Sequence, residues 1–250
     1  MACIIVKEVQ SLVNAFTVLE VFSLEEPELS LSAICSKTQM NKTNVFRYLK
    51  TLMSMGYVQQ NKDTQKYSLG FKFFYLGSIV GDSMDLRKVA HDEMKELHSE
   101  IGEAIGLFIM NNYVRTCIDY IESNRDVRAT LKIGGNYTLS GGGGRPFFFN
   151  RDNTSTSSIL AKSGLNDREI QKCLQQIEKD RKLGYAISLE ENVKGIFGVS
   201  APIYDAENTI CASFQVVCAI SDYTEYYAER LGKMVVKSTR TISQRLGARL

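Results

Sequence analysis

The stretch from Asn41 to Gly56, NKTNVFRYLKTLMSMG, divides into two faces when it is wound at about 3.6 residues per turn. Val45, Leu49, Leu52 and Met53 fall at i, i+4, i+7 and i+8, the spacing of a stripe that must be buried. The opposite face is polar and basic. Thr43, Asn44, Arg47, Lys50 and Thr51 lie together there, with Lys42 at the end where a helix carries positive dipole charge. Asn41 suits the N-cap and Gly56 the stop. Such a helix demands an apolar neighbour on one side and water or an anion on the other.

The neighbours can be read as well. Residues 7–23 carry Val9, Leu12, Val13, Phe16, Leu19 and Phe22 at helical spacing, with Val18 and Val21 beside them, and the acidic stretch with Pro27 ends that helix. A second, short helix starts at Ser30 as N-cap, puts Leu31, Ile34 and Cys35 on one face and stops near Lys37 or Thr38. After Gly56, YVQQ (57–60) and KYSL (66–69) bracket a polar NKDTQ turn, the pattern of a hairpin. Helix, helix, turn, helix, hairpin is the order of a winged helix-turn-helix, whose last helix presents polar side chains to base edges in the major groove. Arg47 has the fork to take a guanine, and Thr43 and Asn44 can reach phosphate or a base edge. Lys62 and Lys66 sit on the wing. Charge agrees: the chain as a whole carries only +2, yet residues 37–66 hold Lys37, Lys42, Arg47, Lys50, Lys62 and Lys66 against Asp63 alone. A basic segment in a nearly neutral chain predicts an anionic partner for that segment, here double-stranded DNA. An ordinary amphipathic surface helix would explain the polar face but not the hairpin behind it.

The 250 residues suffice for two modest domains. No apolar run approaches the roughly 18 to 20 residues of a membrane-spanning helix, and the apolar part of MACIIVKEVQ is too short for a secretory signal, so the chain reads as cytoplasmic. From Gly70 to about Gly102 the pattern is helical with a break near Gly81 and Asp82, which predicts two linker helices and the division 1–70, 71–102 and 103–250. Thereafter come strand-like AIGLFIMN, VRTCIDYIES and VRATLKIG, a glycine-rich turn, and a polar helix from Asn166 to Lys182. Strand-like YAISLE, IFGVSAPIYD and TICASFQVVCA follow, then a C-terminal helix from Asp222. The fold class expected is α+β with an antiparallel sheet.

Signs of catalysis are few. The six cysteines are scattered with no C-x-x-C pair, which reads as buried reduced thiols, with no metal and no cofactor. His91 and His98 lie two helical turns apart, too far to share a metal, and neither has the surroundings of a triad. Glu190 and Glu191 are expected on a strand, where neighbours face opposite ways and cannot share a substrate. Gly141–Gly144 before Arg145 lacks the G-K-[ST] of a phosphate loop; it is read as a flexible loop, with anion binding by its amides as the alternative. Along TICASFQVVCA, Ile210, Ala212, Phe214 and Val216 alternate with Cys211, Ser213, Gln215 and Val217, and the second face is small and partly polar.

These residues together resemble the IclR family of bacterial transcriptional regulators. The run LSLSAICSKTQMNKTNVFRYLKTLMSMGYV followed by KYSLG is similar to the family's N-terminal domain, with Thr43 and Asn44 at its Ser/Thr pair, Arg47 at its arginine and Tyr67–Gly70 at the exit from the wing. DLRKVAHDEMKELHSEIGE resembles the linker helix, and RKLGYAISLEENVKGIFGVSAPIYD the C-terminal signature. Departures are Gln39 where the family's turn usually holds Gly, Asn14 where its first helix usually holds Arg, and GGGGRPFFFN in place of a Gly-Lys-Ala helix start.

The resemblance implies a GAF-like effector-binding domain, and dimers or tetramers on a palindromic operator. It implies a pocket at Ser188, Ile196, Gly198, Gln215 and Val217 beside the glycine-rich loop, to which Leu139, Gly142, Gly143, Gly144 and Ser213 are added as candidate lining. Its expected occupant is a small polar effector such as a carboxylate. The function expected is a ligand-responsive, sequence-specific DNA-binding regulator, read as a repressor in preference to an activator. The alternative is an enzyme acting on a small anionic metabolite, with the winged helix as an interaction module and Arg145 with the glycine loop as its anion site.

Overall fold

The computed structural model describes residues 9–83, 85–125 and 130–249, and the chain divides into two compact units, residues 1–83 and 84–250. In the first unit α1 (Gln10–Glu20), α2 (Leu31–Thr38) and α3 (Lys42–Ser54) pack together with a small antiparallel sheet. Its strands are β1 (Glu28–Leu29), β2 (Val58–Gln60) and β3 (Tyr67–Leu69), with β3 in the middle; the two-residue β1 was not evident from sequence. Val45 and Leu49 of α3 meet Val18 of α1 and Ile34 of α2 in the core, and Met53 packs at its rim. Capping is as expected: Ser30 accepts from the Ala33 amide and Asn41 from the Asn44 amide. Past α3, Gly56 takes φ +79°, so that its N–H reaches the Met53 carbonyl and the Tyr57 N–H reaches that of Leu52. This closure aims the chain directly into the wing.

One expectation for α1 needs correcting. Val18 and Leu19 enter the core, whereas Val9, Leu12, Val13 and Phe16 stay exposed. The helix has apolar residues on two sides, and α2 and α3 cover only one. Phe71 and, on α4 (Lys72–Ser83), Phe74, Tyr75 and Ile79 are exposed too, at i, i+3, i+4 and i+8.

The second unit is built on a six-stranded antiparallel sheet. Its strands are β4 (Ala104–Asn111), β5 (Val114–Ile121), β6 (Asn136–Tyr137), β7 (Ala186–Leu189), β8 (Ile196–Tyr204) and β9 (Ile210–Ala219), in the spatial order β6-β5-β4-β9-β8-β7. On one face lie α5 (Asp85–Ile101) and α8 (Glu225–Arg245), with Met94, Leu97, Leu231 and Val235 packed on Phe197 and Phe214. On the other lie a short 3-10 helix (Arg145–Phe148), α6 (Asn153–Lys162) and α7 (Asp167–Leu183), contributing Phe147, Phe148, Leu160 and Ile177. A capping box of Asn166 and Glu169 starts α7, which runs within a residue of the span expected from sequence. Among the described residues no helix is long and apolar enough to cross a membrane.

The strand readings hold for β4, β5, β8 and β9 within two residues. In VRATLKIG, residues 127–129 lie outside the described residues and 130–134 form no strand; the sheet ends on β6 instead. Strand β7 stops at Leu189, because Glu190 turns to φ 53°. The alternation along β9 slips at Cys211, an extra residue between the pairs Ile203–Ala212 and Tyr204–Ile210, so Ile210 joins the opposite face from Phe214. Helix α6 was missed, and α8 starts at Glu225 under a Thr224 cap, not at Asp222.

Gln39, between α2 and α3, has φ 57° and ψ 23°, a left-handed conformation that costs a side-chain-bearing residue about 1–2 kcal/mol. A bond from its Nε2 to the Ser36 carbonyl, 2.6 Å, offsets part of that. Gln39→Gly is expected to raise stability by about 1 kcal/mol and Gln39→Ala to lower it by a similar amount, read from urea unfolding midpoints of the whole chain. A lower midpoint for Gln39→Gly than for the parent would show that the Ser36 bond outweighs the backbone strain.

Candidate DNA-binding face and small-molecule site

With Val45, Leu49 and Leu52 fixed in the core, α3 has no freedom in which side it turns outward. Lys42, Thr43, Arg47, Lys50 and Thr51 are exposed on that side and Asn44 is half-buried at its edge. Thr51 spends its hydroxyl on the Arg47 carbonyl, 3.1 Å away. Arg47 and Lys50 have no ion-pair partner among the described residues; their cationic ends lie over Tyr48 and Phe46, at 5.8 and 5.4 Å from the ring centres. Lys37, by contrast, is neutralised by Glu26. Phe46 itself is exposed, one position off the buried stripe, and was not anticipated. In the wing, Asn61 Oδ1 accepts from the Asp63 and Thr64 amides, which holds the turn so that Lys62 and Lys66 project into solvent. Asn14, where an arginine was expected, donates to the Tyr48 hydroxyl at 3.2 Å and so braces α1 against α3.

The second site is built where β7, β8 and β9 meet the glycine-rich segment. Ser188 pairs with Gly198 across β7 and β8, and Gln215 with Ser200 across β8 and β9. Gly142 and Gly143 lie on these groups so closely that a Cβ would fall 2.5 Å from Ser188 Cβ at the first and 2.3 Å from Gln215 Oε1 at the second. The Ser200 hydroxyl donates to the Gly142 carbonyl (2.7 Å) and the Ser213 hydroxyl to the Gly143 carbonyl (2.8 Å). Gly142, Gly143, Ser188, Gly198, Ser213 and Gln215 are therefore brought together. Val217 is buried beside them in the apolar cluster under α7, and Ile196 packs at that cluster's edge. Leu139 is wholly buried in the cluster, and Gly144 serves its backbone: a Cβ there would meet the Leu139 carbonyl oxygen at 2.3 Å. Alongside the loop runs a groove of about 620 Å³ that includes Gly141, Arg145, Gln176 and Glu191.

One expectation for this loop is overturned. Residues 141–149 are buried throughout, so it is not a flexible surface loop. Three of its amides are also committed: that of Gly142 donates to Glu191, and those of Gly144 and Arg145 to the Gly141 carbonyl. Arg145 is equally committed, to Asp180 at 2.5 Å, Glu191 at 2.6 Å and the Ile187 carbonyl at 2.6 Å. Burial alone would lower its pKa, but the two carboxylates outweigh this and hold it above the ordinary arginine value. Glu191 thus stabilises the loop, and Glu190 accepts from the Gly195 amide in a turn. The anion site of the enzymatic alternative is already filled by the protein's own carboxylates.

The residue that sequence reasoning missed is Arg115 on β5. Buried to 2% exposure, it donates from Nη1 to Gln215 Oε1 at 2.7 Å and from Nε to the Thr138 carbonyl at 3.2 Å. Nothing in VRTCIDYI marks its second residue as inward-facing. The histidines hold structure: His91 Nδ1 lies 2.8 Å from Asp119 Oδ2 and His98 Nδ1 2.9 Å from the Glu103 carbonyl.

Comparison with known proteins follows the same division. Residues 11–62 match the IclR helix-turn-helix domain, and residues 79–244 match the C-terminal domain of bacterial transcriptional regulators of the IclR type. The HTH-type transcriptional regulator KipR of Bacillus subtilis is 30% identical over 247 residues, 95% of this chain and 97% of that protein. The HTH-type transcriptional repressor AllR of Escherichia coli is 25% identical, over 96% of this chain and 92% of its own. Among solved structures, an IclR regulator from Alicyclobacillus acidocaldarius superposes with a TM-score of 0.82 at 22% identity, covering 95% of this chain and 99% of that one. An IclR homologue from Microbacterium hydrocarbonoxydans, solved with 4-hydroxybenzoate, gives 0.79 at 16% identity over 94% and 98%. These last two likenesses concern the fold alone. The two domain matches and the full-length kinship with KipR carry the conclusion that the chain belongs to the IclR family and is a DNA-binding transcriptional regulator.

Proposed function

We propose that this chain is a ligand-responsive repressor that grips a palindromic operator as a homo-oligomer, through the outward face of α3 and the wing, and senses a small molecule at the glycine-loop site. One observation carries the DNA contact: Lys42, Arg47, Lys50, Lys62 and Lys66 are exposed without ion-pair partners among the described residues, on a helix and hairpin whose other sides are fixed in the core. In this reading Arg47, with Thr43 and Asn44, reads base edges, while Lys42, Lys50, Lys62 and Lys66 meet phosphates and Thr51 lies at the edge of the contact. Exposed Phe46 offers an apolar surface for a thymine methyl. The name of AllR supports the sign of regulation, and the 4-hydroxybenzoate complex supports a small-molecule occupant in a chain of this fold. The exposed apolar rows of α1 and α4 are assigned to a second copy of the chain. Ligand occupancy can regulate only if it favours one arrangement of the paired DNA-binding units over another.

Footprinting on the promoter nearest the gene tests the reading. Arg47→Ala is expected to weaken specific binding by about 1–3 kcal/mol and to relax preference at one base pair per half-site, with thermal stability unchanged. Lost stability with intact base preference would make Arg47 a structural residue instead. Lys62→Ala or Lys66→Ala is expected to weaken binding to all sequences alike and to flatten the dependence of log affinity on log salt by about 0.9 per lysine and half-site; an unchanged slope removes the wing from the phosphates. Sedimentation of Phe16→Asp combined with Phe74→Asp is expected to show smaller particles than the parent chain, and equal sizes would move the oligomer contact off α1 and α4.

A further inference from the structure

Among the described residues four acidic side chains are buried, and three of them face a cation. Glu103 has Arg125 at 3.3 Å, Asp119 has His91 at 2.8 Å, and Asp180 has Arg145 at 2.5 Å. Glu93 of α5, 7% exposed, has neither an ion pair nor a hydrogen-bond partner among the described residues. It lines a groove of about 300 Å³ between α5 and α8, and so does Ser238 of α8, 5% exposed. The hydroxyls of Thr239, Thr241 and Ser243 on the same helix each donate to a carbonyl one turn earlier, at 3.1, 3.2 and 2.6 Å, whereas that of Ser238 has no partner among the described residues. Two buried polar groups thus open on one groove with nothing of the protein's own to bind. A buried carboxyl group left without a donor is a cost that folded interiors normally remove.

The walls of this groove carry opposite charge. On α5, Glu96 and Glu100 follow Glu93 along the same face, and no lysine or arginine stands three or four residues from any of them. On α8, Lys237 and Arg245 line the other wall, exposed, with no acid three or four residues away and no ion-pair partner among the described residues. The two walls form no ion pair with each other either, so their charges face across a gap. We propose that the groove binds a small zwitterion, whose ammonium donates to the Glu93 carboxylate and to Ser238 Oγ and whose carboxylate lies against Lys237 and Arg245. A plain amine would leave the basic wall unmatched, and a plain acid would leave Glu93 unpaired. A metal ion needs several ligands converging on one point, but the three acids are spread over two turns of helix, and among the described residues no group of three such side chains could hold one. The groove lies on the α5 and α8 face of the sheet and the glycine-rich segment on the other, so this site is separate from the candidate effector site and does not rest on it.

The test uses the full-length protein and defined probes: the zwitterions glycine, β-alanine and γ-aminobutyrate, with butylamine for the ammonium alone and butyrate for the carboxylate alone, each followed by thermal shift and calorimetric titration. At least one zwitterion is expected to raise the melting temperature and to bind about 10-fold or more tighter than either single-charge probe. Glu93→Gln keeps the shape and removes the charge, and is expected to weaken that zwitterion by about 10- to 100-fold. Lys237→Gln combined with Arg245→Gln changes only exposed side chains and is expected to bring its affinity down to that of butylamine. Without ligand, Glu93→Gln should melt no lower than the parent, because no partner within the protein is lost. A lower melting temperature overturns the proposal, since it shows that Glu93 is already satisfied in the fold; this arm needs no ligand. The proposal also falls if no zwitterion binds, if butylamine or butyrate binds as tightly as the zwitterions, or if binding is equal in the parent and all variants. Sedimentation of the Lys237→Gln, Arg245→Gln variant should match the parent, and a smaller particle would make the groove an interface between copies of the chain and overturn the small-molecule site.

Discussion

The Arg145 guanidinium is the knot on which the glycine-rich segment of the second unit is tied. It joins the glycine-rich segment to α7 through Asp180, to the turn after β7 through Glu191, and to β7 through the Ile187 carbonyl, while Glu191 also takes the Gly142 amide. Gln176 braces Asp180 from within α7. Removing Arg145 would leave the Asp180 carboxylate buried without a counter-charge, the costliest change available to this cluster. Because the knot sets where residues 141–144 run, it also sets how close the loop lies to Gln215. The geometry of the candidate effector site is thus inherited from an ion-pair cluster that lies beside it.

A second cluster connects that site to α5. Strand β5 carries Arg115 near its start and Asp119 farther along, and the Asp119 carboxylate meets His91 of α5 at 2.8 Å and Arg87 at 3.8 Å. Helix α5 is at the same time packed through Ala90, Met94 and Leu97 into the core that it shares with α8. It begins two residues after α4 ends. A shift of β5 at Arg115 therefore bears on the helix through which the chain enters the second unit, by a polar contact and a packed face together. The two-state element that any such coupling requires would be the seat of α5 on the sheet.

Much of this was legible because local chemistry and packing agreed. The caps Ser30 and Asn41, the stop at Gly56 and the stripe of α3 each follow from residue type and spacing, and the wing from its polar turn. Strands β4, β5, β8 and β9 could be bounded by alternation and turn residues. The failures have physical causes too. Periodicity shows that a helix has an apolar face but not whether the chain covers it, so the exposure of Leu12 and Phe16 could not be foreseen. Helix α6, rich in Ser and Thr, has weak intrinsic preference and is held by the Asp152 cap and by Leu160 and Thr156 against the core. Arg115 was invisible because arginine on a strand normally faces water, and only the tertiary fold, with Phe108 and Tyr137 around it, turns it inward. The glycine run was located correctly but misjudged, since composition could not reveal that its carbonyls, rather than its amides, would face Ser200 and Ser213.

The thiols around the candidate site bear on how exposed it is to oxidants. Cys117 lies on β5 two residues from Arg115, and Cys173 on α7 approaches the Ser140 carbonyl at 3.7 Å. Both are free, and burial pushes both thiols up to about 11. At neutral pH they are protonated almost completely, and the thiolate is the form that attacks peroxides and disulfides. Oxidants in the surroundings thus find little purchase on these two thiols beside the candidate site.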